Sequence, residues 1–585
     1  MRDQEQRYRP IGDYAIIGDA HAAALVSTDG SIDWCCWPHL DSPAVFCRLL
    51  DLRQGGWFRV GPSVPSRVSR SYVGTTNVLA TTFFTDDGQA RLTDFMPAER
   101  RRAGGRGEDI EHSHRIMRLV EGLTGDIELE VSFRPTFDYA RAPTTMTVSD
   151  EHVVARGGAQ TLVLASPVRL RTNDAGTAEG RVRVSAGDRL WLVMTDGVGR
   201  DVGDPEGALE RTLAYWTDWA ATCTYRGPYE AMVRRSALVL KLLTFEPTGA
   251  LVAAPTTSLP EEIGGVRNWD YRYTWLRDSA LILYALQSIG YHAEAMDFFD
   301  WLESLCLACR DRLQIMYTLD GSRDLPEQIL EPLEGYRRSR PVRIGNAAAA
   351  QTQLDVYGEV LDAAHLCIEN MRRPHPELWS VLGLMADRAA ARWPEPDHGI
   401  WEVRSGPGHF LYSKLLCWVA LDRAVRLAYD AGMPADVARW RRARDEIRAA
   451  ILTRGYDRTL QAFTQAFDRP ALDASALVIP LVGFLPPTDP RVRSTVRRFK
   501  TSSRRTVSCT GTSLTMAYRV ERGRLRSAPS GSSTTSRSPG TSGKRESCSS
   551  GCWATRTISD CSRRKSTPSP VSCSATTRKG SPTWP

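Results

Sequence analysis

Near residue 205 the spacing of apolar side chains changes from every second position to every third or fourth, and this change divides the chain into two architectures. Before it, segments such as AALVSTDGSIDW, GDIELEVSF, MTVSDEHVVAR, TLVLASPVRLRT and RLWLVMTDG alternate apolar with polar residues and are broken by Gly, Asp and Pro. Period-two runs with turn residues about every eight to twelve positions predict an antiparallel β-sandwich, here over residues 1–205. After it come EGALERTLAYWTDWA, YEAMVRRSALVLKLLTF, SALILYALQSIG, YHAEAMDFFDWLESLCLAC, AAQTQLDVYGEVLDAAHLCIEN, ELWSVLGLMADRAAARW, FLYSKLLCWVALDRAVRLAYDAG and PADVARWRRARDEIRAAILTRG, all with helical periodicity. They come in pairs joined by Gly- and Pro-rich loops. Each helical hairpin must bury an apolar face, so a toroid of helices over 206–496 is the expected second domain.

Residues 497–585 obey neither pattern: 21 of these 89 residues are Ser and 14 are Thr, with no sustained apolar periodicity. The plain expectation is a low-complexity, disordered tail. This tail also distorts the charge. The chain carries 75 Lys+Arg and 68 Asp+Glu, a net of +7, but the tail holds 18 and 3 of them, leaving 57 basic and 65 acidic residues in positions 1–496, a net of −8. The body is therefore acidic, and the basic tail lacks the interleaved aromatics of a nucleic-acid surface, so no nucleic-acid partner is expected. No run of eighteen apolar residues and no charged-then-apolar leader appears, which points to a soluble, cytoplasmic protein with no membrane partner. Eight of the thirteen cysteines lie in the body. Cys35-Cys36 and Cys306-x-x-Cys309 lack a second pair at zinc spacing, and His112-x-His114 lacks a third ligand. Buried reduced thiols and strand-surface histidines are expected, with no metal.

Two clusters carry chemistry. In Arg267-Asn268-Trp269-Asp270-Tyr271-Arg272-Tyr273-Thr274-Trp275-Leu276-Arg277-Asp278, four aromatics at alternate positions are interleaved with charges and lead straight into a helix. Flat rings cover the apolar C–H face of a pyranose and charged groups take its hydroxyls, although an amphipathic strand feeding a helix cap would read the same. The second cluster, Trp393 to Arg404, contains Gly399-Ile400-Trp401-Glu402 on a loop between two helices. A Trp beside a Glu can exclude water and raise the carboxyl pKa, as a general acid requires; a solvated acidic loop is the bland alternative.

YTWLRDSA and GIWEVR, in this order on helix-hairpin loops, resemble glycoside hydrolase family 15, the glucoamylases and bacterial trehalases. IGDYAIIGDAHAAALVSTDGSIDWCCWPHLDSPAVFCRLLD resembles the trehalase-type N-terminal domain. The resemblance runs from about residue 9 to 496. It implies a multidomain β + α protein, an N-terminal antiparallel β-sandwich followed by an (α/α)6 barrel with the active site at one mouth. It implies an inverting α-glucosidase acting on the non-reducing glucose of trehalose or short α-glucans, with no cofactor. Carried over by position, Glu402 is the general acid and Trp401 the aromatic before it, while Trp275, Arg277 and Asp278 hold the terminal glucose. Arg267, Asp270 and Lys414 are neighbours in the substrate-binding set. Val403 departs from the fungal members, which carry a second Glu there.

Inversion needs a second carboxylate that activates water, expected in a sequence like E-E-[IV]-D-P, and nothing between Glu402 and Pro585 matches it. Back-translated with G/C-ending codons and regrouped by one base, residues 560–585 instead yield LLSEEVDPVTGELLGNYPQGFTHLA. The two glutamates straddle the codons of Arg563, Arg564 and Lys565. A one-nucleotide frame change near Val496 to Lys500 would thus have removed the general base, expected near Arg564, together with the closing helices of the barrel. A carbohydrate-binding protein that has shed catalysis and a basic-tail nucleic-acid binder are the alternatives. Retention of sugar without turnover would mark the first, salt-dependent DNA binding the second.

Overall fold

The computed structural model describes residues 8–510 apart from 100–112, 198–201, 310–312, 371–375 and positions 405, 431 and 433. The long strand Arg115–Arg134 organises the N-terminal half, because its two ends belong to two different sheets. Its first half pairs antiparallel with Arg189–Asp196 and Gly88–Phe95, both setting a partner opposite Val120 (Leu190 and Leu92). Its second half pairs with Trp57–Pro62 and Ala178–Ser185. The crossing point is a stretch where side chains do not fit: a Cβ at Gly122 would stand 1.9 Å from the Ser185 carbonyl oxygen, and Gly125 has φ +60°.

Alternation then builds the core, since every second residue of a strand faces the same side. Ile116 and Val120 from one end of the long strand, and Ile127, Leu129, Val131 and Phe133 from the other, enter a single buried cluster with Leu162, Leu164, Leu192 and Met194. The result is two antiparallel sheets packed face to face, as the period-two reading requires.

Nine α-helices of the described residues follow: α1 (Pro205–Ala221), α2 (Glu230–Leu242), α3 (Leu276–Ser288), α4 (Ala293–Ala308), α5 (Val356–Asn370), α6 (Pro376–Arg392), α7 (Leu411–Asp430), α8 (Val437–Arg454) and α9 (Pro490–Thr510). Asp204 caps α1, accepting from the Gly207 N–H at 3.1 Å. Burial separates inner helices from outer ones. Every residue from Leu411 to Val425 of α7 is buried, whereas α8 buries the stripe Trp440, Ala443, Ile447 and Ile451. α3 packs on α5 and α5 on α7, with α4, α6 and α8 behind them. The inner helix α3 nevertheless exposes Leu281 (55%) and Tyr284 (65%), one turn apart. Helix α9 runs on to Thr510, into the stretch read from sequence as the start of an irregular tail. Residues 511–585, which include the position expected for the general base, lie outside the described residues.

The sandwich clamps the loops that precede the inner helices. Tyr14, Leu25 and Trp34 share one buried cluster with Leu259, Leu330, Leu333, Tyr336 and Val342. Trp34 Nε1 donates to the Pro255 carbonyl (2.7 Å), and Arg272 Nη1 to the Ser42 carbonyl (2.9 Å). Arg272 is buried and held by Asp270, with Nη2 to Oδ2 at 2.6 Å and Nε to Oδ1 at 2.9 Å. Removing one partner of such a pair leaves the other buried and unpaired. Asp270→Ala should therefore cost about 3–5 kcal/mol of stability, read as a lowered denaturant midpoint; an unchanged midpoint would contradict this role for the pair.

Candidate active site

The N-terminal ends of α3, α5 and α7 converge with the loops that lead into them. Glu402 sits on the turn before α7 with φ +52°, a left-handed conformation that a non-glycine residue adopts only where the surroundings impose it. Gly399 (φ +65°) makes the same turn possible, since a Cβ there would stand 2.6 Å from the Phe410 ring.

Trp275 Nε1 donates to Glu402 Oε1 at 2.7 Å. The Arg277 guanidinium is 3.6 Å from the same oxygen, donates to the Ile400 carbonyl (3.0 Å) and pairs with Asp278 (2.9 Å). Burial raises the Glu402 pKa; Arg277 and the Trp275 hydrogen bond oppose this, and Asp278 adds to it. Oε1 is thus the oxygen engaged by both Trp275 and Arg277. Trp401 Nε1 donates to Asp473 Oδ2 (2.7 Å), and Gln465 Nε2 to the same oxygen (3.0 Å).

Trp275, Arg277, Asp278, Trp401 and Glu402, separated by more than a hundred positions, thus meet at one end of the helical domain. Two of the other three candidates are buried away from any ligand. Asp270 is fully buried against Arg272 and the Gly345 N–H, and so has no surface to offer a sugar. Lys414, also fully buried, donates to the Glu395 carbonyl, and burial lowers its pKa. The third, Arg267, is half-buried and lies 3.5 Å from Glu261 across the turn of the same hairpin. The reason is local: in Asn268–Asp270 and on to Arg272, alternate residues turn inward, so the charges that looked poised for ligand neutralise one another.

Three buried carboxyls beneath Glu402 escaped sequence reasoning. Asp355 and Glu359 lie four residues apart at the start of α5, and Asp397 accepts from the Leu354 N–H (2.9 Å). Tyr412 donates to Glu359 (2.7 Å). The signal was present: two acids at i, i+4 in an otherwise apolar helix, DVYGEVL, must face something polar. Burial, then Asp397, raises Asp355 to about 7, with Arg277 opposing and Glu402 adding; Glu359, Tyr412 and Cys417 complete its charged and titratable surroundings. A carboxyl raised on folding contributes stability that is complete below its unfolded value, about 4, and is lost as pH rises through the folded one. Asp355→Asn should therefore flatten the fall in melting temperature between pH 5 and 8 and raise the pH 8 value by about 2 °C or more. A parallel, undiminished fall would contradict this.

Among the described residues no group of three His, Cys, Asp or Glu side chains is placed to hold a metal. His114 stands 3.0 Å from Asp196, while His112 lies outside the described residues. The body cysteines, Cys306 and Cys309 included, are buried.

This geometry can be set beside known proteins. The model of the glycosyl hydrolases family 15 matches residues 227–527, spanning α2 to α9 and every residue of the Glu402 cluster. The chain belongs to glycosyl hydrolase family 15. A trehalase-like N-terminal model matches residues 4–211 of this family-15 hydrolase. It is 40% identical over 516 residues to a trehalase of Mycobacterium tuberculosis, covering 84% of this chain and 75% of that protein. It is 36% identical over 507 residues to a trehalase of Thermoplasma volcanium, covering 84% and 79%. A bacterial glucoamylase complexed with acarbose shares the fold (TM-score 0.61, 13% identity, 83% and 78% of the two chains). The family-15 hydrolase is thus a sandwich followed by a glucoamylase-like (α/α)6 domain, and its described residues hold no helix long and apolar enough to cross a membrane.

Proposed function

We propose that this family-15 hydrolase belongs to an inverting α-glucosidase lineage directed at trehalose, with Glu402 as its general acid. The observation that carries this reading is the Glu402 carboxyl itself: held on a strained turn, raised in pKa by burial, and fixed at Oε1 by Trp275 and Arg277. A protonated carboxyl with one oxygen pinned is what protonation of a leaving glycosidic oxygen requires. Arg277 and Asp278 are the polar grips for the terminal glucose and Trp401 its aromatic wall, while Trp275, itself buried, positions the Glu402 carboxyl. The trehalase-like N-terminal domain and the trehalase relatives favour trehalose over maltooligosaccharides and isomalto-linked glucans.

The general base is the missing partner. Its sequence signature is absent after Glu402, and its expected place near Arg564 falls outside the described residues. Exposed Leu281 and Tyr284 on an inner helix fit a ring whose closing helices are lost, and support a frame change near Val496 to Lys500. The chain is read as a cytoplasmic protein whose partner is a small saccharide and neither nucleic acid nor membrane. Lack of a base also favours a second reading, a protein that binds sugar without cleaving it.

Substrate choice is tested by assaying the frame-restored enzyme on trehalose, maltose and isomaltose. Trehalose should lead in kcat/KM by about tenfold or more; a preference for maltose would overturn the trehalose assignment.

A further inference from the structure

Trp401 and Glu402 are neighbours in sequence but are anchored to different parts of the helical domain. The Glu402 carboxyl takes its hydrogen bond from Trp275, at the entrance to α3, whereas Trp401 Nε1 donates to Asp473 Oδ2 (2.7 Å), in the segment that follows α8. Asp473 is buried, and three N–H donors converge on its carboxylate. Oδ2 also accepts from Gln465 Nε2 (3.0 Å), and Oδ1 accepts from the Ser475 backbone N–H (2.8 Å). The last of these bonds caps the short helical turn Ala474–Val478, which packs on α7 and α9. Gln465 is fixed in turn through its backbone: its N–H donates to the Ala471 carbonyl (2.8 Å), and its carbonyl accepts from the N–H of Leu411, the first residue of α7 (2.9 Å).

An indole N–H withdrawn from water needs an acceptor, and a carboxylate is a stronger one than a carbonyl or a water molecule. The half-buried Trp401 ring is thereby held at both ends, by its Cβ on the Glu402 turn and by Nε1 on Asp473. That matters for a stacking surface, because a ring free to change rotamer must give up that freedom whenever a ligand binds against it. We propose that Asp473, oriented by Gln465, is a positioning residue that fixes the Trp401 ring as a wall of the saccharide site. It acts through Trp401 and lies outside both sequence clusters. This rests on the saccharide reading of the Glu402 site and adds to it the contact that holds its aromatic wall in place.

The test uses the full chain and two readouts. In proton–nitrogen correlation spectra of protein carrying isotope-labelled tryptophan, the Trp401 indole resonance is assigned by its disappearance in Trp401→Phe. It should move upfield in Asp473→Asn, where one acceptor oxygen becomes an amide donor. Gln465→Met, which keeps the side-chain length, removes one donor and leaves the cap intact, should shift the same resonance. Calorimetric titration with D-glucose and with trehalose should show Asp473→Asn and Trp401→Phe each weakening binding by about three- to tenfold. The double variant should bind no more weakly than Trp401→Phe alone, because both changes remove the same bond. An indole resonance unmoved in both Asp473→Asn and Gln465→Met overturns the contact. A shifted resonance with unchanged sugar affinity overturns the positioning role and leaves the saccharide reading standing, as do additive losses in the double variant, since Asp473 would then act by another route. If the parent chain binds neither sugar, both readings fall.

Discussion

Purified protein of this 585-residue sequence should release no measurable glucose from trehalose, while a chain with its reading frame restored beyond Val496 should hydrolyse it readily. On the proposed frame change two losses would combine. Loss of the general base alone would cost about 10²- to 10⁴-fold in rate. Loss of helices that would cover α3, where Leu281 and Tyr284 are exposed, would add a packing defect, and typical domains have only about 5–15 kcal/mol of stability to spare. Restoration should therefore raise both activity and melting temperature. A glucose-release assay on both proteins decides the matter; robust release by the sequence as it stands would overturn the proposed loss.

In the frame-restored enzyme, Glu402→Gln should lower kcat by about 10²- to 10⁴-fold, with KM changed by about threefold or less. Glutamine keeps the acceptor for Trp275 Nε1 and gives up the acidic proton, so substrate binding survives and leaving-group protonation does not. The pH profile follows from the same group. If Glu402 is the general acid, as proposed, it must be protonated to act, and because its pKa is raised, activity should persist above the usual carboxylate range and fall as pH rises through the raised value. Loss of binding together with kcat would instead mark Glu402 as a structural residue.

The helical hairpins and the sandwich were legible because burial imposes periodicity, and α7, buried along fifteen consecutive residues, shows how strongly. Glu402, Trp275 and Arg277 were legible as motif residues, but only the fold brings positions 127 residues apart within hydrogen-bond distance. Asp270 and Lys414 misled for one reason: a charge beside aromatics reads as ligand-facing until its own partner, Arg272 or the Glu395 carbonyl, is located. Asp397 and Asp473 were hidden for the opposite reason, while Asp355 was marked only by its i, i+4 spacing to Glu359. Asp397 and Asp473 act through contacts between distant segments, the Asp397–Leu354 and Asp473–Trp401 bonds, which no local spacing reports.

Inversion at an α-linked glucose, with Glu402 as acid, has a direct signature. One molecule of α,α-trehalose cleaved with inversion yields one β-glucose from the unit attacked and one α-glucose from the unit that leaves. Proton NMR of the first products from the frame-restored enzyme, recorded before mutarotation, should show the two anomers in equal amounts. Two α-glucose per trehalose would mean retention, and would contradict the mechanism built on Glu402 and a water-activating base.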